Sequence, residues 1–225
     1  MSRLQSAPRA VQAVLFDMDG TIVDTEPYWI AAEYALVRAH GGTWTDEHAH
    51  ALVGSALLVS AEYIREHGQV DLAPERIVEL LLDEVVASAL AAMPWRPGAR
   101  ELLAEAADAG VPCALVTMSY RRLADAVVDA LPAGTFATVV TGDQVLDGKP
   151  HPEAYLTAAA RLGVDAAQCV AIEDSPTGVA SAEAAGCAVV AVPHHVPLDP
   201  APTRTIVASL AEVRLADLED LVRRV

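Results

Sequence analysis

Asp17 and Asp19 stand two apart in Asp17-Met18-Asp19-Gly20-Thr21, directly after the apolar run Ala13-Val14-Leu15-Phe16. Carboxylates at i and i+2 reach one pocket only if the backbone turns between them, and Gly20 permits the turn. Such a pair can divide the work of a group transfer. One carboxylate attacks, and the other protonates the leaving oxygen and later deprotonates water. With phosphorus as the electrophile, the first step makes an aspartyl phosphate. A solvated turn uses the same residue types, since Asp and Gly are ordinary turn residues.

Three further segments follow strand-like runs and supply groups that phosphoryl transfer needs. Thr117-Met118-Ser119 comes after a run ending at Val116. The Thr117 hydroxyl can donate to a phosphate oxygen, and the amides of Met118 and Ser119 at the helix start add donors. Ser119 equally suits a helix cap. Gly148-Lys149-Pro150 holds the only lysine among fifteen Lys and Arg residues. A chain that uses Arg at every other such position has kept a compact ammonium here instead of a planar fork. Glu173-Asp174-Ser175 ends a fourth run. Asp174 with Asp17 meets the need of a hard divalent cation for one or two protein carboxylates, although Glu173 and Asp174 also favour the N-terminus of the helix that follows.

These groups are far apart in sequence, so the elements that carry them must bring them together. Ala13 to Phe16, Cys113 to Val116, Thr138 to Val140, Cys169 to Ile172 and Ala188 to Val192 are short apolar runs, as expected of strands buried on both faces. Helical patterns lie between them. One covers Ala99 to Ala109 and stops at Gly110; another opens with Pro176 and stops at Gly186. The alternation predicts an α/β fold, a doubly wound parallel sheet whose functional groups gather beyond the carboxyl ends of the strands. The segment from Glu26 to about Met93 breaks the alternation with four helical stretches: Pro27 to Ala39, Asp46 to Leu52, Ser55 to His67 and Pro74 to Ala92. It reads as an inserted all-helical cap domain, residues 25–93, within a core of residues 1–24 and 94–225. The exit runs through Pro94-Trp95-Arg96-Pro97-Gly98.

Composition narrows the partners. A formal net charge of −16 repels nucleic acid and anionic lipid. No stretch approaches the roughly 20 apolar residues that span a bilayer. Met1 to Ala10 has Arg3 and Arg9 but no apolar run of a secretory signal. Cys113, Cys169 and Cys187 are odd in number and sit in apolar runs, which suits reduced core thiols. The expectation is a cytoplasmic protein, a monomer or weak homodimer, without nucleic acid or membrane partners.

Taken jointly, the four segments resemble the haloacid dehalogenase superfamily of phosphatases and phosphomutases, in the subgroup with a helical cap after the first motif. The resemblance spans nearly the whole chain. It implies Asp17 as nucleophile, Asp19 as acid and base, Thr117 as the phosphate-binding hydroxyl and Lys149 as the lysine that steadies nucleophile and phosphoryl group. It also implies Mg2+ on Asp17, Asp174 and the main-chain carbonyl of Asp19, with Glu173 in support. An Asp at position 19 points to phosphatases and mutases rather than dehalogenases. The implied activity is hydrolysis of a small phosphorylated metabolite.

A sugar phosphomutase of the β-phosphoglucomutase type is the nearest rival. Such mutases are expected to place an Arg soon after a cap Gly, whereas here Gly54 is followed by Ser55-Ala56-Leu57-Leu58-Val59, with no cation before Arg65. A non-catalytic regulatory protein on the same fold would have lost part of the constellation, and none is missing. His48, His50, His194 and His195 read as ordinary solvated or helix residues. Trp29, Trp44 and Trp95 either pack the cap or line a pocket.

Overall fold

Residues 11–53 and 55–222 are described in a computed structural model of the protein. Met1 to Ala10 and the cap glycine Gly54, on which the mutase comparison turned, lie outside the described residues. The apolar runs become strands: β1 (Ala13–Phe16), β2 (Cys113–Val116), β3 (Thr138–Val140), β4 (Cys169–Glu173) and β5 (Ala188–Ala191). A sixth, β6 (Arg204–Ile206), completes one sheet in the order β3-β2-β1-β4-β5-β6. All five pairings are parallel. Every residue of β1, β2, β4 and β5 is buried, which is why their sequences are continuous apolar runs instead of alternating ones.

Helices cover both faces. On one, α5 (Ala99–Asp108), α6 (Arg121–Asp129) and α9 (Leu215–Val222) pack Leu102, Leu123 and Leu218 against Val14 and Phe16. On the other, α7 (Glu153–Leu162) and α8 (Pro176–Ala184) place Tyr155 and Val179 against Ala13 and Leu15. Successive β1 residues thus feed opposite cores, the period of two that a pleated strand imposes. Each large aliphatic or aromatic side chain buried this way contributes about 1.5–3 kcal/mol.

The cap consists of α1 (Glu26–Ala39), α2 (Asp46–Leu52), α3 (Leu57–His67) and α4 (Pro74–Ala91). Ile77, Leu81 and Val85 form the buried stripe of α4, at the four-residue spacing of one helix face. Its core is continuous with that under α5 and α6. The chain enters and leaves the cap by two strand-like linkers side by side: Asp24 donates its amide to the Pro94 carbonyl, and Arg96 to that of Ile22.

The departures from expectation are local. Strand β6 and helix α9 were not predicted; Arg204-Thr205-Ile206 has no apolar run, because an edge strand is only half buried. The third cap helix begins at Leu57, two residues late. All three cysteines are buried and unpaired in disulfides. No helix of the described residues is long and apolar enough to cross a membrane.

Candidate active site

Register decides the site. Phe16 pairs with Leu115 on β2 and Ile172 on β4, so the chain leaves all three strands at the same edge. Asp17, Thr117 and the Glu173-Asp174 pair therefore converge where the strand order reverses direction between β1 and β4, the usual binding crevice of such a sheet. There Asp17, Thr117 and Asp174 floor a cavity of about 610 Å³ shared with the cap, while Glu173 is fully buried beside them.

Lys149 reaches this point from the loop before α7. Its ammonium donates to Asp17 Oδ1 at 2.6 Å, Glu173 Oε1 at 2.6 Å and the Val116 carbonyl at 2.9 Å. Three acceptors match the three protons of an ammonium. Burial works against its charge, but Asp17 and then Glu173 outweigh this and hold the ammonium's pKa above its ordinary value.

Glu173 is fully buried and fully engaged. Its Oε1 also accepts from the Tyr155 hydroxyl at 2.7 Å, and its Oε2 from the amides of Asp174 and Ser175 and the Ser175 hydroxyl. Glu173 thus braces the turn before α8, in line with its place at that helix start, and grips Lys149, a contact the sequence did not indicate. A Cβ on Gly178 would fall about 2 Å from this carboxylate, so only glycine admits it there.

Asp17 has one oxygen on Lys149; the other, Oδ2, is buried without a hydrogen-bond partner. Burial, followed by Glu173, raises its pKa well above the usual carboxylate range. Asp174 is likewise raised, to about 7, by burial and then Glu173. Carboxylate oxygens of Asp17, Glu173 and Asp174 lie within 4.8 Å of one another. With Glu173 satisfied, the orphaned Asp17 oxygen and Asp174 remain, a donor set that fits a hard divalent cation. Gly20 makes the approach possible. It sits at φ +85°, and a Cβ there would lie 2.1 Å from Asp174 Oδ2.

The Asp19 carboxylate stands apart from that cluster. Thr25 donates to its Oδ1 at 2.5 Å, and Ser119 at 2.7 Å and Thr117 at 3.2 Å to its Oδ2. One expectation changes here. Ser119 does not cap α6; Tyr120 occupies the cap position without a side-chain bond, because the Ser119 hydroxyl is committed to Asp19. The Thr117 hydroxyl, expected on a phosphate, also points to Asp19 in this arrangement. The side chain of Met118 packs under Lys149, its Sδ accepting the Lys149 amide at 3.3 Å.

Sequence reasoning passed over two contributors. Thr25 starts α1 as its N-cap residue but makes no side-chain cap; its hydroxyl serves Asp19 instead. Tyr155, buried on α7, carries no local signal of the bond its hydroxyl makes to Glu173. His195 is exposed, as expected, with its Nε2 3.7 Å from Asp24 Oδ1, whereas His194 is half-buried against the cap linkers. Arg96 Nη1 donates to His194 Nδ1 at 2.7 Å, and His194 Nε2 lies 3.1 Å from Asp24 Oδ2. Trp44 is buried in the cap, Trp29 lines the cavity, and Trp95 bridges to Val23 while Arg100 sits over its ring.

Known proteins share the fold and part of the sequence. The chain is 36% identical to hexitol phosphatase A of Escherichia coli (strain K12) over 180 residues, 79% of this chain and 81% of that protein. The crystal structure of a CbbY variant from Rhodobacter sphaeroides in complex with xylulose-(1,5)bisphosphate superposes with a TM-score of 0.83 at 28% identity, covering 92% of this chain and 99% of that one. A putative β-phosphoglucomutase from Thermotoga maritima gives a TM-score of 0.75 at 28% identity, covering 93% and 99%. The model of the haloacid dehalogenase-like hydrolases matches residues 11–186, and the chain belongs to that family.

Proposed function

We propose that the protein is a Mg2+-dependent phosphomonoester hydrolase that works through an aspartyl phosphate on Asp17. The observation that carries the reading is the state of Asp17: one oxygen pinned by the only lysine, the other buried and unpartnered at the cavity floor, two residues from a second carboxylate held by three hydroxyls. In the first step Asp17 attacks phosphorus and the ester oxygen leaves with a proton from Asp19. In the second, water attacks the acyl phosphate, Asp19 takes its proton, and inorganic phosphate departs. Thr117 must turn from Asp19 to meet the phosphate, joined by the amides of Met118 and Ser119. Lys149 neutralises charge on Asp17 and the phosphoryl group, and Glu173 with Tyr155 keeps it there. Mg2+ on Asp17, Asp174 and the Asp19 carbonyl would offset the repulsion between phosphate and carboxylates. Residues 25–93 act as the cap over a core of residues 1–24 and 94–225. The relative named a hexitol phosphatase supports a phosphorylated sugar or polyol as substrate.

Asp17→Asn tests this directly. It keeps the size of the side chain but removes the attacking charge, so turnover of phosphomonoesters should fall by at least about a thousandfold, and the wild type alone should show a phosphoryl group on the Asp17 peptide by mass spectrometry after rapid quench. Near wild-type turnover in the variant would remove Asp17 from the chemistry. A mutase on the same intermediate is the second reading, favoured by the likeness to a protein named as a putative β-phosphoglucomutase. Conversion of a sugar 1-phosphate to the 6-phosphate without release of inorganic phosphate would establish it.

A further inference from the structure

Helix α1 carries Glu26, Trp29 and Glu33 at i, i+3 and i+7, a spacing that places them on one helix face. All three line the catalytic cavity from the cap side. Glu33 is buried, with one oxygen on the Trp44 indole N–H at 3.2 Å. Among the described residues neither Glu26 nor Glu33 forms an ion pair with a Lys or Arg. The cavity lining contains a single Lys or Arg, Lys149, whose ammonium is already shared by Asp17 and Glu173.

Carboxyls without a Lys or Arg partner are costly to keep in a cleft, and the fold gains from these two only one bond to Trp44 and an acid in the first turn of α1. Burial raises both to about 7. Groups retained at such a cost in a cavity are candidates for ligand contact. Their chemistry selects the ligand. A carboxylate accepts hydrogen bonds from hydroxyls, and such charge-assisted bonds are the stronger kind. A second phosphate placed here would face two acidic side chains with no free Lys or Arg among the described lining residues to receive it, and like charges brought together repel.

We infer that Glu26 and Glu33 hold the non-phosphate end of the substrate, that this end is uncharged and rich in hydroxyls, and that the enzyme therefore acts on polyol or sugar monophosphates and rejects bisphosphates. The inference rests on the phosphatase reading above. It also weighs against the mutase, which must accommodate a doubly phosphorylated intermediate.

The test compares kcat/KM for sorbitol 6-phosphate, glucose 6-phosphate, glucose 1,6-bisphosphate and p-nitrophenyl phosphate, the last having no sugar hydroxyl. In the wild type, the better of the two hydroxylated monophosphates should exceed the bisphosphate by at least about a hundredfold. In Glu26→Gln and Glu33→Gln the ratio of kcat/KM for that monophosphate to that for p-nitrophenyl phosphate should drop by about tenfold, through KM. A loss of folded protein lowers both rates together and leaves that ratio unmoved. Glu26→Lys should shift preference toward the bisphosphate. A wild type that prefers the bisphosphate, or a ratio unchanged in both Gln variants, would overturn the assignment while the phosphatase reading stands. A wild type inert toward all four esters with Mg2+ would overturn the phosphatase reading as well.

Discussion

Beside Lys149 in the floor of the cavity, the fully buried Glu173 receives hydrogen bonds from Lys149, Tyr155, Ser175 and two backbone amides. On the cap wall, Glu33 keeps one indole donor, and among the described residues Glu26 pairs with no Lys or Arg. Both regions bury carboxyl groups, but only the floor supplies their partners from the protein. A floor satisfied in this way has one geometry, which suits bond making and breaking, where small displacements are costly. A wall left incomplete is finished by whatever binds, which suits selection. The difference implies that substitutions in the floor should act on turnover and substitutions in the wall on KM.

After the loss of Asp17 itself, the largest effect expected on the floor is that of metal removal. Asp17, Asp19, Glu173 and Asp174 face one ammonium, so approach of an anionic ester without a further cation should be strongly opposed. Dialysis against a chelator is expected to lower turnover by at least about a hundredfold, with recovery on adding Mg2+. Full activity in metal-free buffer would remove Asp174 from the proposed site and leave its burial beside Gly20 without a purpose.

A smaller loss is expected from Lys149→Arg. The ammonium meets acceptors on three sides within 2.9 Å, and its side chain is 5% exposed. A planar guanidinium is too wide to reproduce that arrangement. Turnover should fall at least about tenfold, or about 1.4 kcal/mol of transition-state stabilisation. KM should move less than kcat; the reverse split would blur the distinction between floor and wall.

The smallest effect sharpens the wall. Burial holds the Glu33 pKa at about 7, above its ordinary 4.5. For an acid raised on folding, the protonated folded form is favoured, and that advantage is lost as pH climbs through the folded value. Raising the pH from about 6 to about 8 should therefore lower the melting temperature of the wild type relative to Glu33→Gln, which has no proton to lose at this position. Parallel melting curves at both pH values would mean that Glu33 is ionised in the folded protein throughout this range.

The parallel sheet and the four chemistry-bearing segments were legible in the sequence because of where burial falls. Strands covered on both faces must be apolar at every residue, so each polar group that interrupts such a run, Asp17, Thr117 or Glu173, marks a carboxyl end. The helical stretches of the cap were legible for the same reason: Pro74 at a first turn and the stripe of Ile77, Leu81 and Val85 are local patterns. Strand β6 was not, since Arg204-Thr205-Ile206 at a sheet edge buries too little to require a pattern. Nor were the partners of the polar groups. Thr25 and Ser119 have the side chains of helix caps, and nothing in their neighbours says that both hydroxyls turn to Asp19 instead. Lys149 meets Asp17 across 132 positions of chain. Residue types and local spacing determined which groups stand at strand ends and which helices form. Which of those ends meet, which hydroxyl serves which carboxylate, and which acids stay unpaired were decided by strand register and cap packing, because hydrogen bonds depend on distances that local sequence does not set.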